Sequence, residues 1–298
     1  HFFADGLPPL ITDRLTTMMR RASLIARAAS ALAGPRAMHF HSAQAAPIRR
    51  RPAGILIAGA IGVCSGGVVL CKTGGKLHAE ADELFERNDY EALVKFLRDG
   101  MAATPDDSQL LWRLSRALKK QADADIKNRK TLLHESLELA KRAVELEPNC
   151  GNAHKWCGIA LSSSSSFEGT TASIKNSFVV ADHFKRAVDL SPKDATARHL
   201  LGLWCYEVAK LSWLEQKVAA TLFAAPPTAT FEEAYEHFVA AEKIDPGFYP
   251  KNMLLLAQTC ARLGLKQEAT HWHSRCLASK ARTPEDEETL AEAAKLKL

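Results

Sequence analysis

The chain has no disulfide framework. Its seven cysteines (Cys64, Cys71, Cys150, Cys157, Cys205, Cys260 and Cys276) include no CxxC pair and follow no regular spacing. An odd number placed this way is expected to be reduced and buried, as in a reducing compartment. The sequences that usually carry chemistry are also missing: there is no HExxH, no GxSxG and no Cys/His cluster at metal-binding spacing. His271 and His273 stand two apart, so on a helix they point roughly 200° away from each other and cannot share one ion. Thr73-Gly74-Gly75-Lys76 is reminiscent of a phosphate-binding loop, but Leu77 follows where Ser or Thr is needed and the earlier glycine is misplaced. These absences remove the motif-bearing hydrolases, metalloenzymes and nucleotide-binding enzymes. A hydrolase hidden in the fourth helix pair would need a cleft with paired titratable groups. The expectation is a protein that is not an enzyme and takes no cofactor or metal.

Acidic residues are scarce at one end. Residues 1–76 hold ten Lys and Arg against Asp5 and Asp13, a balance of +8, while the whole chain is +5 and residues 77–298 are therefore −3. The basic isoelectric point near 8.8 belongs to the N-terminal segment, and the remainder has no surplus for a nucleic-acid partner. From Met18 onward the segment 1–52 is rich in Arg, Ala and Ser without an acid, the composition of a mitochondrial targeting sequence. Residues 53–71 then run nineteen positions without a charge. As a helix they would reach about 28 Å, near the thickness of a hydrocarbon core, so they are expected to cross a membrane. Arg49, Arg50 and Arg51 precede this span, and Gly62 and Gly66 within it have GxxxG spacing. Residues 72–76 read as a linker, and 77–298 as the folded domain.

What the domain does have is a repeat. Ala140–Pro148 reads AKRAVELEP and Phe184–Pro192 reads FKRAVDLSP. Counting back from Pro105, Pro148, Pro192 and Pro246, the fifth residue is Gly100, Ala143, Ala187 or Ala241, and the eighth is Leu97, Ala140, Phe184 or Phe238. The tenth residue after the first three prolines is Ser115, Gly158 or Gly202. Small residues at contact positions, an apolar stripe at three- and four-residue intervals and a proline stop predict helix pairs of the tetratricopeptide type. The fold class is thus all-α, a helical-repeat solenoid preceded by the membrane span. The prolines are 43, 44 and 54 residues apart, against about 34 in a regular array, so each repeat carries extra helix or loop. Ser162–Ser166 reads as a solvated loop. Residues 207–225 read as an added helical piece ended by Pro226-Pro227, and Thr283-Pro284 as the start of a capping helix.

Such a solenoid has a concave groove lined by the first helix of each pair. The register places Trp112, Arg116, Lys119, Asn152, Lys155, His199 and Tyr206 there. This basic and aromatic set would suit an acidic peptide tail or an anionic phospholipid head group, although several of its members could instead pack between helices.

Three stretches carry a family resemblance: LLWRLSRAL (110–118), HKWCGIAL (154–161) and the block 182–252, which contains LGLWCYEVAKLSW and LFAAPPTATFEEA. Over about residues 77–295 the chain resembles the regulator of microtubule dynamics family. The resemblance implies a non-enzymatic protein associated with microtubules and spindle poles, with mitochondrial members, one of them anchored in the outer membrane and holding lipid in its helical domain. The expected function is a membrane-anchored adaptor at the mitochondrion that binds tubulin's acidic tails or another acidic partner. The alternative is lipid binding or transfer at a membrane contact.

Overall fold

The computed structural model describes residues 67–168, 170–211 and 228–298. Among these, eleven α-helices follow one another: α1 Gly67–Glu86, α2 Tyr90–Ala103, α3 Ser108–Ala124, α4 Arg129–Leu146, α5 Gly151–Ser164, α6 Thr170–Leu190, α7 Ala195–Ala209, α8 Phe231–Ile244, α9 Pro250–Arg262, α10 Lys266–Leu277 and α11 Pro284–Lys295. Helices α1 to α10 form five antiparallel pairs, and α11 packs on α9 and α10. The surplus length of the middle repeats is mostly helix, since α4 and α6 run to 18 and 21 residues.

Local chemistry sets the boundaries. Each of the four prolines lies two residues past a helix end, where the chain turns with the same backbone bond: Asp107 N–H to Thr104 O, Cys150 to Glu147, Asp194 to Ser191 and Phe248 to Asp245. Proline suits this turn because its fixed φ favours the second position and its missing N–H is not needed there. The next helix starts on a side-chain cap where one is available. Asp107 accepts from the Gln109 and Leu110 amides, and Asp194 from Ala197. Thr230 with Glu233, and Thr283 with Asp286, form reciprocal capping boxes, the second with Pro284 in the first turn. At the α1–α2 turn Asn88 takes φ 61° and Asp89 caps α2. Asn is one of the few side chains that tolerate this left-handed region.

One continuous core runs from Ala81 in α1 to Leu256 in α9. Its tightest points are the small positions expected from the repeat. A Cβ on Gly158 would lie 2.5 Å from the Phe184 ring, and one on Gly202 would lie 2.9 Å from the Phe238 ring. In the second pair the same place is held by Ser115, whose hydroxyl meets that of Ser136, which in turn donates to the Ser115 carbonyl. The large rings of Phe184 and Phe238, both fully buried, occupy the room the glycines leave.

Two expectations meet a different structure, and a third, the membrane span, falls almost wholly outside the described residues. Helix α1 passes without a break through 72–76, where a linker was expected. Ser162–Ser165 are buried at the end of α5 and in the 3-10 turn Ser165–Phe167, not in a solvated loop. The Ser163 and Ser165 hydroxyls donate to the carbonyls four residues back, Ile159 and Leu161, which gives a polar run its partners inside a helix end. No helix among the described residues is long and apolar enough to cross a membrane. The expected span 53–71 lies outside them except for Gly67–Cys71, which open α1. The segment 1–52, residues 212–225 of the added piece, and Pro226-Pro227 also lie outside. Cys150, Cys157, Cys205, Cys260 and Cys276 are free and buried.

Gly158→Ala and Gly202→Ala should each cost about 1–3 kcal/mol in urea unfolding, because the opposing ring cannot yield without leaving its rotamer. Shortening the ring in the same chain, Gly158→Ala with Phe184→Leu, is expected to recover part of the loss. Strictly additive losses would mean that the two residues do not share the space.

Candidate functional site

Polar side chains join the first helix of one pair to that of the next at α1–α3, α5–α7 and α7–α9. From α1, Asp82 takes two guanidinium groups of α3: Arg113 at 2.7 Å and Arg116 at 2.7 Å. His78 meets the cap carboxylate of Asp107 at 3.0 Å. Lys155 of α5 reaches Asp194, the cap of α7, at 2.5 Å. From α7, His199 pairs with Asn252 of α9 at 2.8 Å and Tyr206 donates to Gln258 at 3.0 Å. Asn252 continues the link to the Phe238 carbonyl and to Glu242, itself a buried carboxylate that accepts from the Gly247 amide. The chain of links closes on α11 through Tyr249 to Glu285 and Gln258 to Glu292.

This ladder locates the groove residues expected from the sequence. Trp112 is buried, with its indole N–H on Gln109 and the Arg113 guanidinium 4.1 Å from its ring centre. Arg116 lies between the rings of Phe85, at 3.7 Å, and Trp112, at 5.2 Å. Lys119 is 1% exposed and pairs with Asp123 one turn on. Lys155, His199 and Tyr206 are buried and serve the inter-helix links above, and Asn152 is half-buried. Most of the set therefore sits between neighbouring helices. The register places the set along the first helices of the pairs, but most of these side chains are buried rather than open to a groove.

Helix α3 concentrates charge. Arg113, Arg116, Lys119 and Lys120 fall on consecutive turns, and among the described residues Asp82, Glu86, Asp123 and Glu285 act on them. Burial works against the charge of Asp82, yet Arg113 and Arg116 outweigh it and hold the carboxyl below its usual range. Burial lowers Lys119, with Asp123 opposing, and brings Lys120 down to about 8. Arg113, Lys120 and Asp82 were not singled out by the sequence register. Arg113 stands three residues before Arg116 and Lys120 four after it, and this helical spacing of cations is the signal that would have found those two; Asp82, on another helix, has none.

Across from α3, the first turn of α11 presents Glu285. Its carboxyl accepts from the Tyr249 hydroxyl at 2.7 Å, and burial raises it to about 7, with Lys120 and Lys251 opposing. Because its folded value lies above the ordinary 4.5, the folded state holds this proton more tightly than the unfolded chain. The resulting stabilisation is present in acid and fades as pH rises from about 4.5 to 7. Glu285→Gln, which keeps an acceptor for Tyr249, is expected to melt above the parent at pH 8 and together with it at pH 5. A constant offset at both would rule out this titration.

Comparison with known proteins agrees with the geometry. Residues 77–297 match the family model described as regulator of microtubule dynamics protein 1-3. Regulator of microtubule dynamics protein 1 of Mus musculus is 40% identical over 221 residues, covering 73% of this chain and 72% of that protein. The Bos taurus protein of the same name is 40% identical over 220 residues, covering 73% and 69%. Regulator of microtubule dynamics protein 3 of Xenopus laevis is 36% identical over 169 residues, 56% of this chain but 36% of that longer protein. Among solved structures, the tetratricopeptide protein TTC0263 of Thermus thermophilus aligns over 74% of this chain and 99% of its own, with a TM-score of 0.52 at 16% identity, a likeness of fold alone. With the repeat register, the solenoid and a family match over the whole helical domain in agreement, this chain belongs to the regulator of microtubule dynamics protein 1-3 family.

Proposed function

We propose that the protein is a non-enzymatic adaptor that recruits an acidic partner to the concave face of its first repeats, and that the acidic tails of tubulin are one such partner. The supporting observation is the pair of guanidinium groups on Asp82. The Arg113 and Arg116 side chains are 10% and 12% exposed while Asp82 is 42% exposed, so the carboxylate stands on the open side of a buried cationic fork. A carboxylate from a partner has the charge and shape to take its place, and arginine held by aromatic rings loses little freedom in receiving it. Lys120, one turn on, extends the positive face. The same cations suit a phospholipid head group, which makes anionic lipid the competing occupant.

Attachment to a mitochondrial membrane through residues 53–71 is part of this proposal. It rests on the uncharged run and on the basic segment before it. Protease treatment of intact and outer-membrane-ruptured mitochondria tests the placement: digestion of the helical domain without rupture fits a microtubule partner, and protection until rupture removes it.

The groove itself is tested by co-sedimentation of the full chain with microtubules, either intact or stripped of their acidic tails by subtilisin. Tail removal and Lys120→Glu are each expected to weaken binding about tenfold at low salt, and Asp82→Asn to strengthen it by freeing the fork. Binding that ignores the tails and both substitutions would overturn the groove assignment. Flotation with anionic vesicles that responds to Lys120→Glu, in the absence of microtubule binding, would assign the groove to lipid.

A further inference from the structure

His154 of α5 and His183 of α6 face each other away from the polar ladder just described. Their Nδ1 atoms are 3.0 Å apart and their ring centres 5.2 Å apart. The other nitrogen of each ring has its own partner. His154 Nε2 lies 3.0 Å from the Pro148 carbonyl, and His183 Nε2 lies 3.5 Å from the Cys157 sulfur. One assignment of protons satisfies all three contacts. A carbonyl can only accept, so His154 carries its proton on Nε2 and turns a bare Nδ1 lone pair toward its neighbour. His183 then donates from Nδ1 to that lone pair and accepts the Cys157 thiol proton at Nε2.

We propose that the facing Nδ1 atoms of His154 and His183 form a binding site for a divalent transition metal, with zinc as the representative ion. Two imidazole nitrogens bound to tetrahedral zinc at about 2.0–2.1 Å stand about 3.3 Å apart. The observed 3.0 Å is short of this by an amount that a small ring rotation supplies. The backbone carbonyl on His154 Nε2 is the kind of partner that fixes a ligating histidine's tautomer and orientation. On metal binding the single proton of neutral His183 moves from Nδ1 to Nε2, where it points at the Cys157 sulfur, a weak acceptor. No proton is gained or lost.

The surroundings are compatible with a bound cation. Burial lowers both histidines, His183 to about 4, so protons do not compete for the lone pairs near neutrality. The Arg186 guanidinium, which donates to Asn149 Oδ1 at 2.7 Å, keeps its charge and works against positive charge at His154, whereas the exposed Asp182 carboxylate favours it at His183. Burial pushes the Cys157 thiol up to about 12, so it stays protonated and is not a ligand. Among the described residues no three His, Cys, Asp or Glu side chains surround a common point. Water, or a side chain from a partner protein, would therefore complete the coordination.

The test is calorimetric titration of the full chain with zinc, alongside side-chain imidazole nitrogen NMR. The expected result is a zinc equivalent that binds at least about tenfold more weakly in His154→Gln and unchanged in His271→Gln, with the Nδ1 signals of His154 and His183 moving together in the unsubstituted protein. Zinc uptake that leaves those Nδ1 signals in place would overturn the site, whatever the stability of the variants. So would an equal response of the His154 and His271 substitutions.

Discussion

The close approach of helix to helix at Gly158 and Gly202 is the constraint on which the rest of the solenoid depends. A ring from the following helix, Phe184 or Phe238, lies where any side chain would stand. The hydrophobic contribution of a buried ring is large, but it is realised only if the surfaces meet without a void. The second pair solves the same problem with Ser115 and Ser136, which trade ring packing for mutual hydrogen bonds in a fully buried position. Because the solution recurs at the same register, each pair presents its first helix to the next pair in a similar way, and a single core extends across the repeats.

That stacking puts polar residues of successive first helices against one another, and here the molecule departs from a simple apolar array. Asp82 with Arg113 and Arg116, Lys155 with Asp194, and His199 with Asn252 are all long-range contacts between neighbouring first helices. Buried ion pairs contribute little net stability once desolvation is counted, yet losing one partner is costly because the other charge is left without compensation. Such pairs discriminate sharply between correct and shifted stacking. The Lys155–Asp194 pair illustrates this: burial opposes the Asp194 charge, but Lys155 and the α7 amides keep it ionised, so one carboxylate both caps a helix and joins two repeats.

The concave face is consequently neither a smooth cationic groove nor an apolar tunnel over the described residues. Its charge is gathered on α3, where two arginines share one half-exposed aspartate. Glu285, from the first turn of α11, acts on Lys119 and Lys120 and is itself raised by burial. Under the proposed function, a partner carboxylate would exchange with Asp82, which favours reversible, salt-sensitive attachment.

Much of this was legible in the sequence. The prolines, Asp107, Asp194, Thr283 and the glycines at 158 and 202 act through their own backbone or the adjacent turn, so their spacing alone determined the helix boundaries, the pairing and the repeat. The family resemblance followed from longer stretches of the same segments. The fate of the groove residues was not legible: the register assigns Trp112, Lys119, Lys155, His199 and Tyr206 to one face, but whether that face meets water or the neighbouring helix depends on how the pairs stack. The serine run shows the same limit, since five hydroxyls look solvated until a helix end offers carbonyls to those of Ser163, Ser164, Ser165 and Ser166. The sequence by itself determined which elements form and where they stop, because those are contests between neighbouring residues. Only the tertiary structure decided which charges are buried, which carboxylate two arginines share and which two histidines meet, because these depend on helices tens of residues apart being brought within hydrogen-bond distance.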